Sequence, residues 1–433
     1  MSVTEEDSTP ADAIPACALP NTPLAAALPG INACVHCGFC LQACPTYLTL
    51  EDENESPRGR IFLMRSLLEG TVSPHDASVH AHIDRCLGCR ACEPACPSGV
   101  PYGQLLEAAR ATLREARRLP FVARLILFVF VHPLLLKAAM FGSRLLAASP
   151  IPTILARTSG RMGFGMAMLA SAGSPLERDP YPAPNTGDRG TTGVLLGCVM
   201  EGLFTETNRA TERVLRRNGY RTVDVPGQGC CGALHAHAGD LEAARALARR
   251  NIAAFEKSPS EHIAVNAAGC GAMMKEYGHL LHDDPEWSER AAAMSAQVRD
   301  VSELLAAAGP LPGSRLPLRV TYDAPCHLVH AQRVVTEPLA VLGAIPGLEL
   351  VPLRDSENCC GSAGIYNLIE PETSDAVLTP KLANIADTGA SFVATGNPGC
   401  LMQIGAGLMR SGSKARAIHP VDLLDASYAG GQQ

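Results

Sequence analysis

The spacing of apolar and polar positions changes character along this 433-residue chain. From Tyr102 to Arg118, Leu105, Leu106, Ala109 and Leu113 recur at helical spacing and predict a helix with one apolar face. A shorter amphipathic helix is predicted from Ile61 to about Leu68. Between Leu125 and Leu136 twelve uncharged residues run together, a stretch too short and, at Pro133, too interrupted to span a bilayer. Past residue 193, short apolar runs (Gly193-Val-Leu-Leu, Ile263-Ala-Val, Leu318-Arg-Val-Thr-Tyr, Phe392-Val-Ala) alternate with helical stretches such as Leu241 to Lys257. That alternation predicts a parallel α/β layer. The segment Ser171 to Thr192, broken by Ser-Pro, Asp-Pro-Tyr-Pro and Asn-Thr-Gly-Asp, reads as a linker ahead of it.

The formal charge of −7 is unevenly placed. From Arg110 to Arg161 nine Lys and Arg stand against one acid, Glu115, which leaves −15 on the remainder. The apolar run lies among those basic residues. A monotopic element in the headgroup region of an anionic leaflet is therefore expected, with a buried helical hairpin or a subunit-docking face as the competing reading. The first 30 residues carry Glu5, Glu6 and Asp7, no basic start and no apolar stretch, so they do not read as a signal peptide; a Pro/Ala-rich disordered leader is expected, with Cys17 incidental. Reduced thiols for metal point to the cytoplasm, peripheral on the inner face of the membrane.

The chemistry is carried by cysteine. Cys34, Cys37, Cys40 and Cys44-Pro45 repeat as Cys86, Cys89, Cys92 and Cys96-Pro97, each run with the C-x2-C-x2-C-x3-C-P spacing of two-cluster bacterial ferredoxins. In that spacing the fourth thiolate of each run crosses to the other cluster, so one [4Fe–4S] cluster is expected on Cys34, Cys37, Cys40 and Cys96, and a second on Cys86, Cys89, Cys92 and Cys44. Structural zinc would take four ligands in separated C-x2-C pairs, and a disulfide framework would need an oxidising compartment. Between the runs, Arg58 and Arg60 are candidates to offset cluster charge, or to be a solvated turn.

The remaining cysteines recur in one order: Cys198, Cys230-Cys231-Gly232 and Cys270, then Cys326, Cys359-Cys360-Gly361 and Cys400, offset by 128 to 130 residues. This is an internal duplication, and the cysteines of each copy should converge beyond the carboxyl ends of the strands. They are expected to form a cluster or redox-active thiol site, against the plainer reading of small buried side chains. His235, His237, His327 and His330 are candidate ligands, though polar surface positions are the simpler expectation. Gly227-Gln-Gly229-Cys-Cys-Gly232 fits a dinucleotide fingerprint, but its second copy, Ser356-Glu-Asn-Cys-Cys-Gly361, lacks the first two glycines. No Ser–His–Asp, zincin or P-loop pattern appears, and nothing points to nucleic acid.

These residues resemble the iron–sulfur subunit family of glycolate oxidase, through Ala33-Cys-Val-His-Cys-Gly-Phe-Cys, Cys44-Pro-Thr-Tyr47, Pro57-Arg-Gly-Arg-Ile61, Cys96-Pro-Ser-Gly-Val100, Gly269-Cys-Gly-Ala272 with Lys275-Glu-Tyr-Gly278, and Cys359-Cys-Gly-Ser-Ala-Gly364. The resemblance implies an electron-transfer subunit, inactive alone, that works with an FAD-bearing catalytic subunit and a second flavoprotein-like subunit, oxidising glycolate to glyoxylate and passing electrons toward membrane quinone. Lactate or anaerobic glycerol-3-phosphate dehydrogenase complexes share the layout, and a heterodisulfide-reductase-like thiol protein is the alternative of another class. In that last type each repeat ends in C-x2-C; here Met273 and Gln403 stand at the final position, which argues against a noncubane cluster. The expected fold class is α+β then α/β: a leader (1–30), an α-helical two-[4Fe–4S] ferredoxin-type domain (31–110), a basic apolar helical connector (111–170), a linker (171–192), and two CCG repeats (193–310 and 311–433).

Overall fold

The computed structural model describes residues 17–176 and 181–430. Its α/β part consists of two four-stranded, wholly parallel sheets of identical topology. The first is formed by β1 (Thr191–Val194), β2 (Arg221–Val223), β3 (His262–Val265) and β4 (Val298–Asp300), in the order β2-β1-β3-β4. The second, β5 (Arg319–Tyr322), β6 (Glu349–Val351), β7 (Phe392–Ala394) and β8 (Arg416–Ile418), repeats it as β6-β5-β7-β8. In register, Thr192 faces His262 in one sheet as Val320 faces Phe392 in the other. The two repeats share a core: Val194 and Val214 pack in one cluster with Val320, Tyr322 and Leu424. Arg213 clamps the fully buried Asp425 at 2.6 Å, and Thr207 donates to Asp422 across the same seam.

Ahead of the sheets the described residues are helical, with no strand before Thr191, so the α+β character expected there is realised as helices and cysteine loops alone. The helix Pro57–Glu69 is longer than the hydrophobic pattern indicated. Its start is fixed by Ser56, whose hydroxyl accepts from Gly59 N–H, and by Pro57 in the first turn; Gly70, left-handed at φ 73°, ends it. A Cβ at Gly59 would fall 2.0 Å from the Glu53 carbonyl oxygen. Gly59→Ala is therefore expected to destabilise the chain by roughly 1–3 kcal/mol, read from chemical denaturation, because the collision is with backbone that cannot step aside.

The expected disordered leader is corrected from Cys17 onward; residues 1–16 lie outside the described residues. Short helices Pro23–Ala26 and Leu28–Asn32 are seated on the cysteine domain, Leu24 and Ile31 fully buried in its core beside Met64, Leu67 and Leu105. Burial of two such side chains contributes on the order of 1.5–3 kcal/mol each. Thr22 caps the first of these helices, and Leu24 N–H donates to Thr112 Oγ1 at 3.1 Å. The expected linker is also partly packed, with Leu176 and Tyr181 against the shared core and the Tyr181 hydroxyl donating to Asp425.

The basic apolar stretch folds as two helices, Phe121–Val131 and Pro133–Ala147, bent by 110° where His132 meets Pro133. Only Ala123 and Leu127 of the first are buried, and none of the second. Its inner side rests on the first repeat: His235 Nε2 lies 3.1 Å from the Leu127 carbonyl, and Arg144 donates to Gly202 O and Thr205 Oγ1. Phe121 (72% exposed), Leu134 (81%) and Phe141 (63%) face outward. No single helix among the described residues is long and apolar enough to cross a membrane.

Candidate metal centres

All seventeen cysteines are free thiols. The two ferredoxin-type runs are drawn together by the helices Pro57–Glu69 and Tyr102–Ala116, and their loops leave two cavities between them. One is lined by Cys34, Cys37, Cys40, Cys92 and Cys96. The other is lined by Cys44, Cys86, Cys89 and Cys92. The exchange of fourth cysteines is thus present in the chain path: Cys96 faces the first run's cavity and Cys44 the second's. Cys92, Pro57 and Tyr102 line both, so the cavities are neighbours.

Four or more thiols line each space, the donor number a [4Fe–4S] cluster takes, in adjoining loops and not in the separated pairs of structural zinc. Electrostatics agrees. Burial, reinforced by neighbouring thiols, pushes Cys89 and Cys92 well above the ordinary thiol range, and burial also raises Cys40. Thiols packed this way resist ionisation until a cation compensates them, as metal coordination does. Donors aim at Cys86 Sγ: Gly88 N–H lies 3.4 Å from it and the Tyr102 hydroxyl 3.6 Å, while Thr46 Oγ1, which donates to the Glu55 carbonyl, lies 3.3 Å from Cys44 Sγ.

Arg58 and Arg60 part company. Arg58 is half-exposed, paired with Glu53 at 2.6 Å and bound to the His36 carbonyl at the mouth of the first cavity. Arg60 is wholly buried beside the second cavity, which overturns a solvated turn for this residue. It donates to Glu55 Oε2 at 2.5 Å, His82 O at 2.6 Å and Thr46 Oγ1 at 3.1 Å. Glu55, itself buried, also takes His82 at 2.7 Å and Arg85 at 2.9 Å.

In the α/β half the duplicated cysteines converge within each copy, beyond the carboxyl ends of the central strands. Cys198 follows β1, Cys270 opens the helix Ala268–Lys275 after β3, and Cys230-Cys231 comes from the loop after β2. Thiol–thiol hydrogen bonds link Cys198, Cys230, Cys231 and Cys270 in series; those from Cys198 and Cys231 hold the Cys230 thiol well below its ordinary range and push their own up. Cys326, Cys359, Cys360 and Cys400 form the matching series, with Cys360 Sγ 3.3 Å from Cys400 Sγ. Asn251 and Tyr277 bind the backbone of the first pair at Cys230 O and Cys231 O. In the second copy Lys381 joins Asp323 at 2.5 Å to the carbonyl of Ser356, ahead of the cysteine pair.

Two of the four histidines are not the polar surface positions expected, while His237 is partly exposed. His235 is fully buried against the connector, His330 is buried with Nε2 on the Glu357 carbonyl, and burial lowers the His327 pKa to about 3. Only His327 touches a cysteine, its Nδ1 3.7 Å from Cys326 Sγ; His237 pairs with Glu107. Gln403 is engaged by Asn367 and Ser374, both at 2.8 Å, so it is a structural side chain and not a spare ligand. Tyr102, read from sequence only as a helix start, turns out to border both cavities; its place just after Cys96-Pro97 was the one available signal.

Comparison with known proteins agrees with this layout. A 4Fe-4S dicluster domain matches residues 30–100, and a cysteine-rich CCG domain matches twice, at 192–275 and 320–405. The probable glycolate oxidase iron-sulfur subunit of Bacillus subtilis (strain 168) is 39% identical over 90% of this chain and 92% of its own. The glycolate oxidase iron-sulfur subunit of Escherichia coli (strain K12) is 34% identical over 86% and 88%. Lactate utilization protein A of Geobacillus kaustophilus is 31% identical over 53% of this chain and 96% of its own.

Proposed function

Because this chain belongs to the family of glycolate oxidase iron–sulfur subunits, we propose that it is the electron wire of a glycolate-oxidising complex, taking electrons from the FAD of a partner subunit and passing them toward quinone. The observation that carries the reading is the pair of adjoining thiol-lined cavities with exchanged fourth cysteines. Cys34, Cys37, Cys40 and Cys96 would hold one cluster, and Cys86, Cys89, Cys92 and Cys44 the other. A bound [4Fe–4S] cluster supplies one-electron chemistry, whereas removal of hydride from a 2-hydroxy acid belongs to the flavin. The chain's own residues do the rest. Gly88 and Tyr102 donate to Cys86 Sγ and so favour the reduced state. Ile61, Val100 and Leu87 keep water from the sulfurs.

The first cavity is the one open to a partner. Cys37 is exposed, and Val35 (68% exposed), Phe39 (67%) and Phe62 (59%) stand out of the same domain, an apolar rim suited to docking the flavin subunit. Mixing the cluster-replete chain anaerobically with its FAD subunit and glycolate is expected to bleach the chain's visible absorption, and Cys37→Ala to stop it. Full-speed electron transfer to quinone in Cys37→Ala would contradict the reading.

The outward face of the connector supports peripheral attachment to an anionic membrane: Phe121, Leu134 and Phe141 project among Arg117, Arg118, Arg124 and Lys137. Each basic residue near such a surface contributes about 1 kcal/mol. The chain is expected to float with phosphatidylglycerol-containing vesicles at low salt, and Phe121→Ser with Leu134→Ser and Phe141→Ser to leave it at the bottom of the gradient. Unchanged flotation of that triple variant would assign the face to a protein neighbour.

A further inference from the structure

We propose that the second cysteine set of the α/β half, and not the first, exchanges electrons with the dicluster domain, across the wall that Cys89 shares with Cys326 and Cys359. This rests on the reading above that the cysteine sets hold iron–sulfur centres.

Three observations carry it. Cys89 and Leu87, from the second ferredoxin-type run, pack in one apolar cluster with Cys326, Cys359, Tyr366 and Val377. Cys89, Cys326 and Cys359 are all buried, so the meeting of the two sets is closed to solvent. The junction is pinned, because the Tyr366 hydroxyl donates to the Arg85 carbonyl at 2.9 Å, just ahead of Cys86. The first set has no such neighbour. Cys231 is buried with Met200, Phe204, Met273 and Tyr277, in a cluster that contains no cysteine of either ferredoxin-type run.

The two sets are also equipped differently. Beside the second lies the buried Lys381–Asp323 pair, its ammonium also donating to the carbonyls of Asp355 and Ser356 ahead of Cys359. In the first repeat the residue three before Cys198 is Leu195, and aligning Asn251-Ile252 with Asn384-Ile385 brings Ala248 opposite Lys381. Leu195 and Ala248 are both apolar core. The second set therefore has a buried ion pair beside it where the matching positions of the first repeat are apolar.

Cys44, Cys86, Cys89 and Cys92 would hold the centre that gives up one electron and is oxidised by one equivalent. Cys326, Cys359, Cys360 and Cys400 would hold the one that takes it and is reduced by one. No bond is made or broken and no proton is needed.

The test is electron paramagnetic resonance of the full-length, anaerobically reconstituted and fully reduced chain, with iron counted on the same samples. The wild type should contain more iron than two clusters require, and the Cys89-side signal should be broadened by a neighbouring spin. Cys326→Ala should remove that broadening while both dicluster signals persist; Cys231→Ala should leave it in place. Cys326→Ser, closer in volume, serves where the alanine variant loses iron throughout. Broadening that survives both Cys326 variants, broadening lost in Cys231→Ala, or a wild type holding only the dicluster iron would each overturn the proposal. Absence of dicluster iron would instead overturn the wire itself.

Discussion

Cys96→Ala is expected to extinguish the same spectroscopic signal as Cys37→Ala, and Cys44→Ala the same signal as Cys89→Ala. By chain position alone the opposite grouping would be natural, since Cys96 closes the second run and Cys44 the first. The cavities decide otherwise: Cys96 lines one with Cys34, Cys37 and Cys40, and Cys44 lines the other with Cys86 and Cys89. Each variant should lose about four iron atoms, one [4Fe–4S] complement. Electron flow from flavin to quinone should stop in all four, because the two centres act in series. Partial iron loss that followed the sequence runs would mean that the fourth ligands do not cross.

Glu55→Leu is expected to destabilise the cysteine domain by about 3–5 kcal/mol, the usual cost of leaving a buried charge without its partner. Arg60 is wholly buried, and although burial opposes its charge, the surroundings at Cys86, Tyr102, Cys44 and Glu55 keep it protonated. Loss of the carboxylate leaves that guanidinium with the carbonyls of His82 and Glu55 and the Thr46 hydroxyl, and frees His82 and Arg85. The double variant Glu55→Leu with Arg60→Met should cost less than Glu55→Leu alone, since an apolar pair needs no counter-charge. Denaturant unfolding of the three proteins measures both statements. Additive losses would show that Glu55 and Arg60 act independently.

What could be read from the sequence was what is local. Four cysteines within one short loop declare their chemistry by spacing, and a doubled order of cysteines behind apolar runs declares two equivalent parallel sheets. The four strands read from the sequence fell within about two residues of β1, β3, β5 and β7, because their apolar runs end where the thiol loops begin, whereas the three-residue β2, β4, β6 and β8 carried no run long enough to read. Glu55 was not legible. It sits in Asp52-Glu-Asn-Glu-Ser, where every neighbour is polar, and only the fold turns it inward onto Arg60. The leader misled for a related reason: composition argued for disorder, yet Leu24 and Ile31 are buried in a core built from residues far along the chain. Helix-start signals were present at Thr22-Pro23, but a four-residue helix has no period to detect. The meeting of Cys89 with Cys326 and Cys359 joins segments more than 200 residues apart, and no pattern along the chain encodes it.

The central claim is that two neighbouring cubane centres share this domain by exchanging ligands. Iron and acid-labile sulfide, counted on the anaerobically purified full-length chain before and after dithionite reduction, with the reduced spectrum recorded on the same sample, test it most directly. At least about eight of each per chain, with two interacting paramagnets on reduction, is the result expected. Colourless protein without iron that still restores glycolate-to-quinone electron transfer to its complex would contradict it.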